Sequence, residues 1–336
     1  MITNTSLIRS LNPFIFFLKY FGCFPFQIIR INHSIIHFKI SKLKLFYGII
    51  LVSASTYYTI KFRFKLENDS IIRSFLDADA IIISIGSVMC ILVYWCNIRV
   101  IGRVNEQIFI YSKYLRDDEF TKKISRVAIC FFVCFFGSCL AVFLMLYFIY
   151  FSGENRNIFL IIGHVLTTFY FLFIVNSVIL HFSCLLIYYY KIFESINLEL
   201  KKLAERVEIC FVENFKYLFV YNFSIGDLVV VYIEICNLCE EINDAFGGSL
   251  AAAILIAFLQ LLASSHQFIN NAAILMFVVW FGYYIVLVWF ILYPCEIIKN
   301  EVRGVWMLGK NIRGSKRQLR WLLNFKNFSP STKYFT

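Results

Sequence analysis

The apolar stretches of this 336-residue chain carry few polar side chains, and those present are of types that bind rather than catalyse. Tyr147, His164, Thr167, Thr168, Gln260, Ser264, His266 and Trp280, with Tyr150 and Tyr170, mix aromatic faces with a small number of hydrogen-bonding groups. Small-molecule pockets have that make-up. A second reading stands beside it, in which Tyr and Trp form an interfacial belt and the hydroxyls bond to carbonyls of their own helix. Catalytic arrangements are missing: there is no P-loop, nucleotide fingerprint, HExxH, Ser/His/Asp set or carboxylate pair within an apolar run. Acid–base relays in membranes need such ionisable groups. His164, His181 and His266 each stand alone, which suits a hydrogen-bonded structural imidazole. Cys236 and Cys239 form a CxxC without a second ligand pair, so no zinc site is expected. The chemistry is that of recognition, with no enzymatic activity, cofactor or metal.

Positioning such groups needs a membrane fold. Sixty per cent of the residues are hydrophobic and 16% charged, and the mean hydropathy is +0.73. Soluble domains are nearer 45–50% apolar and about 25% charged, so a disordered chain, a disulfide-stapled domain and an ordinary soluble enzyme are excluded. Stretches free of Asp, Glu, Lys and Arg run over 45–60, 80–98, 127–153, 157–190 and 245–295. The last holds 51 residues, more than twice the ~20 that one crossing needs, and Ser264–Gln267 with Asn270 and Asn271 marks the fold-back. Six spans are predicted, near 45–61, 80–98, 127–151, 159–190, 248–266 and 272–293. The runs are too long and too uniformly apolar for barrel strands. The fold class is therefore an all-α, polytopic helical membrane protein.

Lys and Arg set the direction. Residues 1–44 and the connections 99–126, 191–247 and 294–336 hold 27 of them, and the opposite side holds 5. The positive-inside rule then places the N-terminus in the cytoplasm. The net charge of +11 faces anionic headgroups and calls for no nucleic acid. No cleavable signal peptide is visible, and the short apolar run at 13–18 reads as a segment along the inner membrane surface.

Three parts follow: a cytoplasmic segment at 1–44, a six-helix transmembrane domain at 45–293 and a basic amphipathic tail at 294–336. The 191–247 connection is itself helical, with Leu200, Leu203, Val207, Phe211, Phe215 and Leu218 at helical spacing. A second stripe through Val231, Ile235, Leu238, Ile242 and Phe246 runs without a breaker into the fifth span. Stripes this apolar require burial. Pro294 is expected to close the sixth span.

Several local patterns resemble one family. Leu11-Asn12-Pro13 and Lys19-Tyr20-Phe21-Gly22-Cys23-Phe24-Pro25 resemble the N-terminal opening of insect chemoreceptors. Ile235-Cys236-Asn237-Leu238-Cys239-Glu240-Glu241-Ile242-Asn243-Asp244-Ala245-Phe246-Gly247 resembles the run leading into the fifth span of insect gustatory receptors. Cys295-Glu296 with Asn300-Glu301 resembles their segment after the sixth. The resemblance implies a multi-pass plasma-membrane receptor: a homo- or hetero-tetrameric, ligand-gated cation channel opened by a small-molecule tastant. The ligand pocket would lie in the outer half. An anchor between subunits would lie at the cytoplasmic helix ends, with Leu238, Ile242, Asn243 and Phe246 as its positions here. The family's T-Y-apolar-Q-F signature in the seventh helix is absent, so no pore residue carries over. Either the chain is one helix short of a whole receptor or it does not conduct alone. The alternative readings are a fragment of a seven-helix receptor coupled to G proteins, whose N-terminus would face outward, and a secondary transporter, which would show repeated halves.

Overall fold

The structure, a computed structural model, describes residues 15, 18–32, 35–65, 71–111, 133, 137, 140, 158–210, 225–269 and 274–312. The regular elements are β1 (Phe26–Asn32), β2 (Ile35–Ile40), α1 (Lys42–Lys65), α2 (Ile71–Cys96), α3 (Ile98–Tyr111), α4 (Ile158–Cys210), α5 (Ile225–Ile269) and α6 (Ile274–Ile312). Membrane-length apolar helix covers Lys42–Lys61, Leu166–Leu198, Val230–Leu262 and Phe281–Arg303, and a bent pair, Ile81–Cys96 with Ile98–Ile108, makes a fifth. These match five of the six predicted spans. The remaining one, 127–151, lies outside the described residues except for helical positions 133, 137 and 140.

The predicted helical continuations are present where the chain is described; Phe211, Phe215 and Leu218 of the first stripe lie outside the described residues. At 53 residues α4 is about 80 Å long, and α5, at 45, is about 68 Å, against a hydrocarbon core of roughly 30 Å. α4 is the spine: 94% of its apolar window is buried within the protein, against 17% for that of α1. A helix apolar on every side must be covered on every side, and α2, α5 and α6 cover this one. Contacts along the helices fix their directions. Tyr94 meets His181 and Tyr188 meets the Ile108 carbonyl, so α2–α3 and α4 run the same way. Asn176 meets Tyr283 and Ser183 meets Phe290, so α6 runs with them. Ser249 on Cys90 and Glu241 on Arg103 make α5 antiparallel to α2–α3.

Two expectations change. The second span is not straight: its halves meet at 65° around Asn97. The Asn97 amide side chain donates to the Val93 carbonyl at 3.2 Å, and the Asn97 backbone N–H donates to the same oxygen at 3.3 Å. Such side-chain competition loosens a helix at one turn. Pro294 does not end the sixth span, since α6 continues through it to Ile312. Of the N-terminal apolar run at 13–18, the described residues Ile15 and Leu18 are buried in the core.

Within the N-terminal segment β1 and β2 pair antiparallel, Phe26 opposite Ile40 and Ile28 opposite Phe38. Alternation explains it: Phe26, Ile28, Phe38 and Ile40 turn inward while Gln27, His37 and Lys39 are exposed. The hairpin rests on α3 at Gly102, where an added Cβ would lie 3.0 Å from the Phe26 ring. The Phe38 N–H donates to Glu106 Oε1 at 2.7 Å, and His37 Nδ1 meets the same oxygen at 3.1 Å.

Candidate ligand-binding core

The bundle interior contains polar side chains at two levels. The first surrounds His181 of α4. Its Nδ1 lies 2.9 Å from the Tyr94 hydroxyl of α2, and its Nε2 lies 3.3 Å from Asn105 Oδ1 of α3. One imidazole therefore ties together the two helices on either side of the bend. Asn105 completes its own bonding by donating to the Ile101 carbonyl at 2.7 Å. Phe246 stands edge-on to the ring, with centroids 5.5 Å apart and planes at 90°, and Phe24 lies 5.8 Å away. All five are buried residues with the polar ones hydrogen-bonded, as a low-dielectric interior requires. This level is structural.

The second level lies nearer the N-terminal ends of α4 and α6. Asn176 donates to the Leu172 carbonyl and to the Tyr283 hydroxyl of α6. The parallel register of α2 and α4, set by Tyr94 and His181, brings Ser87 of α2 to the turn of α4 that holds Ile174 and Asn176. On α5, Ile256 packs on Gly86, where an added Cβ would lie 2.2 Å from Ile256 Cγ1. Gln260 is one turn further along and fully buried. Ser87 is also fully enclosed, and its hydroxyl has no hydrogen-bond partner among the described residues. A buried hydroxyl without a partner is costly, by about 1–3 kcal/mol. Asn176 and Tyr283 thus join α4 to α6, while Ser87 of α2 and Gln260 of α5 are separate buried polar residues; a few such groups in an otherwise apolar interior have the composition of a small-molecule site.

The sequence-derived positions divide accordingly. Gln260 is one of these buried polar residues. Thr167 donates to its own helix, to the Gly163 carbonyl at 3.0 Å, and Thr168 is half-buried. Gly163 packs against Tyr58 of α1, where a Cβ would fall 2.0 Å from the hydroxyl. His164, Ser264, His266 and Trp280 lie on α4, α5 and α6, but their side chains are outside the described residues, as is the whole of Tyr147. Ser87, Asn176, Tyr283 and the partners of His181 were missed. A single hydroxyl or amide inside a long apolar run carries no periodic signal, and only the register between helices brings these together.

At the far end Arg103 pairs with Glu241 at 2.9 Å, Tyr111 donates to Glu234, and Asn197 donates to Glu301 Oε2 at 2.7 Å. These bonds link α3 to α5 and α4 to α6. Of the expected anchor positions, Leu238, Ile242 and Phe246 are buried within the chain's own core, and Asn243 is exposed. The stripe that asked for burial is covered by the chain's own helices. Cys236 and Cys239 lie on α5 as expected, and among the described residues no three metal-ligating side chains come together.

A family model described as "7tm Chemosensory receptor" matches residues 11–329, nearly the full length. The chain belongs to the 7tm chemosensory receptor family. Seven solved chains match this receptor's fold. One is the insect olfactory receptor OR5 from Machilis hrabei, with a TM-score of 0.64 at 12% identity, covering 88% of this chain and 81% of that one. No curated protein sequence matches the receptor. That likeness shows a shared fold of long packed helices.

Proposed function

We propose that this chemosensory receptor is a gustatory-type subunit of a ligand-gated cation channel, opened by a small-molecule tastant. The observation that carries the reading is the family match from 11 to 329. The gustatory assignment rests on the Ile235–Gly247 run and its resemblance to the segment leading into the fifth span of those receptors. The ligand enters the bundle from the outer side and takes its hydrogen bonds from buried polar groups among Ser87, Asn176, Gln260 and Tyr283. The subunit sits in the plasma membrane with its N-terminus in the cytoplasm and assembles as a homo- or hetero-tetramer. Asn243 is the proposed anchor position that presents its side chain at the surface; Leu238, Ile242 and Phe246 act by holding α5 straight beneath it.

The test is calcium imaging in insect cells expressing the full-length receptor against a panel of sugars, bitter compounds, amino acids and odorants. A tastant response shifted by Gln260→Ala or Ser87→Ala, with surface expression maintained, supports the reading. A response to volatile odorants alone overturns the gustatory assignment. An unchanged dose-response in both variants removes these buried polar groups as the site.

A further inference from the structure

Away from the bundle core, the turn before β1 and the start of α1 bring two lysines together. Leu18–Tyr20 form a helical turn that ends at Gly22, whose φ of 76° suits a residue without a side chain. This turn lies directly on α1. A Cβ on Gly22 would fall 2.6 Å from the Cα of Gly48, and the Tyr47 hydroxyl donates to the Tyr20 carbonyl at 3.2 Å. Lys19 precedes Tyr20, and Lys44 lies one turn ahead of Tyr47 and Gly48, so the packing of these two elements brings both lysines to one junction. Lys44 Nζ donates to the Phe26 carbonyl at 3.0 Å, which fixes it half-buried with donors to spare.

Neither lysine meets a carboxylate among the described residues, and the first acid in the sequence is Glu67. Burial, and after it the charge of Lys44, hold the Lys19 ammonium below the usual lysine range. Two crowded cations without a counter-ion are unfavourable until an anion lies between them. The surroundings identify that anion. The apolar span of α1 begins at Lys42, so the pair sits where hydrocarbon gives way to headgroups. Tyr20, Leu43, Phe46 and Tyr47 beside it are all exposed large side chains.

We propose that Lys19 and Lys44 form a binding site for the phosphate of an anionic phospholipid headgroup, whose acyl chains lie along Leu43, Phe46 and Tyr47. Lysine serves phosphate as a compact point charge. Anionic lipids attract basic side chains at the membrane surface, each by an amount that makes loss of the pair worth about tenfold or more in affinity. The apolar rim favours a lipid over free phosphate.

The experiment uses the full chain in nanodiscs and reads retained lipid by native mass spectrometry as phosphatidylglycerol is titrated against phosphatidylcholine. Wild-type protein is expected to retain phosphatidylglycerol selectively. Lys19→Gln with Lys44→Gln lowers that retention about tenfold, and Lys61→Gln, which removes one charge at the other end of α1, does not. An equal loss in Lys61→Gln reduces the effect to general charge and overturns the site. Lysine acetylation of the wild-type protein provides a readout free of folding effects. Phosphatidylglycerol, but not phosphatidylcholine, should protect Lys19 and Lys44; equal labelling in both lipids overturns the proposal. Protection or displacement by inorganic phosphate alone, without the lipid, would make the site one for free phosphate and overturn the lipid assignment.

Discussion

His181 shows how much one side chain can hold in a membrane interior. Both ring nitrogens have partners, on α2 and on α3, and the ring faces meet aromatic edges on Phe24 and Phe246. Deleting it leaves the Tyr94 hydroxyl and Asn105 amide buried with one fewer partner, at roughly 1–3 kcal/mol each. His181→Phe retains the aromatic packing and loses both bonds, so it should lower the thermal midpoint in detergent. His181→Ala should lower it further, through the added cavity. A Phe variant that melts like wild type would show that the two bonds contribute nothing net. Cys23 is an opposite case, a residue placed where its chemistry is shut off. It is buried at the junction of the N-terminal turn and the bundle, and burial raises its thiol well above the ordinary value. The nucleophile is the thiolate, so Cys23 in the folded protein should resist a small alkylating reagent up to about pH 9, where an unperturbed thiol is largely ionised. The unfolded chain reacts there, and ionisation only in the unfolded state makes folding weaker as pH rises through that range. Labelling at pH 8 without denaturant, located by peptide mass, would contradict the burial.

At the scale of elements the most informative position is Pro294, which reads in the sequence as a stop. Proline has no N–H to give the carbonyl four residues earlier, here that of Phe290, and in an apolar interior such a carbonyl needs another donor. Ser183 of α4 supplies it, its hydroxyl lying 2.7 Å from the Phe290 oxygen. The same hydroxyl lies 2.9 Å from the Ile179 carbonyl of its own helix. The helix therefore continues because a neighbouring helix satisfies the gap. A double-mutant cycle tests this. Ser183→Ala should destabilise by about 1 kcal/mol or more, and the loss should shrink in a Pro294→Ala background, where the restored N–H reaches Phe290. Strictly additive losses would mean that the two sites are independent. Single-chain patterning could not reveal this compensation, because the donor and the gap are more than a hundred residues apart. Long helices were legible for the contrary reason: the stripes through Leu200 and Val231 repeat locally, and so do the charge-free runs. The hairpin lay between these cases. Its alternation is present in Phe26, Ile28, Phe38 and Ile40, but each strand is short, and the basic residues around it read more simply as a membrane-surface segment. The bend at Asn97 left no sequence mark beyond one polar residue in an apolar run. Of the buried polar residues Ser87, Asn176, Gln260 and Tyr283 only Gln260 was visible beforehand.

For the whole molecule, direction and charge meet in one test. The contacts make α2, α4 and α6 parallel and α5 antiparallel to them, and Gly48 of α1 packs on Trp95 at the far end of α2. The start of α1, the ends of α2, α4 and α6 and the start of α5 therefore gather on one side. That side also holds the hairpin and the Arg103–Glu241 pair, and the sequence segments that begin or end at these helix ends carry 27 of the 32 Lys and Arg residues. A packing pattern that could have scattered the basic connections instead collects them, so a single orientation satisfies the positive-inside rule for every connection at once. The predicted outcome is that an N-terminal epitope tag on intact cells is stained only after permeabilisation. Asn68-Asp69-Ser70, between α1 and α2 on the opposite side, is a glycosylation acceptor sequence there. Its modification should slow the protein's migration, and Asn68→Gln or glycosidase treatment should reverse the shift. Tag staining on unpermeabilised cells would invert the molecule as a body, since the helices are packed to one another and cannot be reversed singly. Inversion would turn the Lys19–Lys44 end outward and expose the candidate ligand site to the cytoplasm, and the receptor could then not sample external compounds through it. The tag experiment thus decides which ligands are physically available to this receptor, before any one of them is tried.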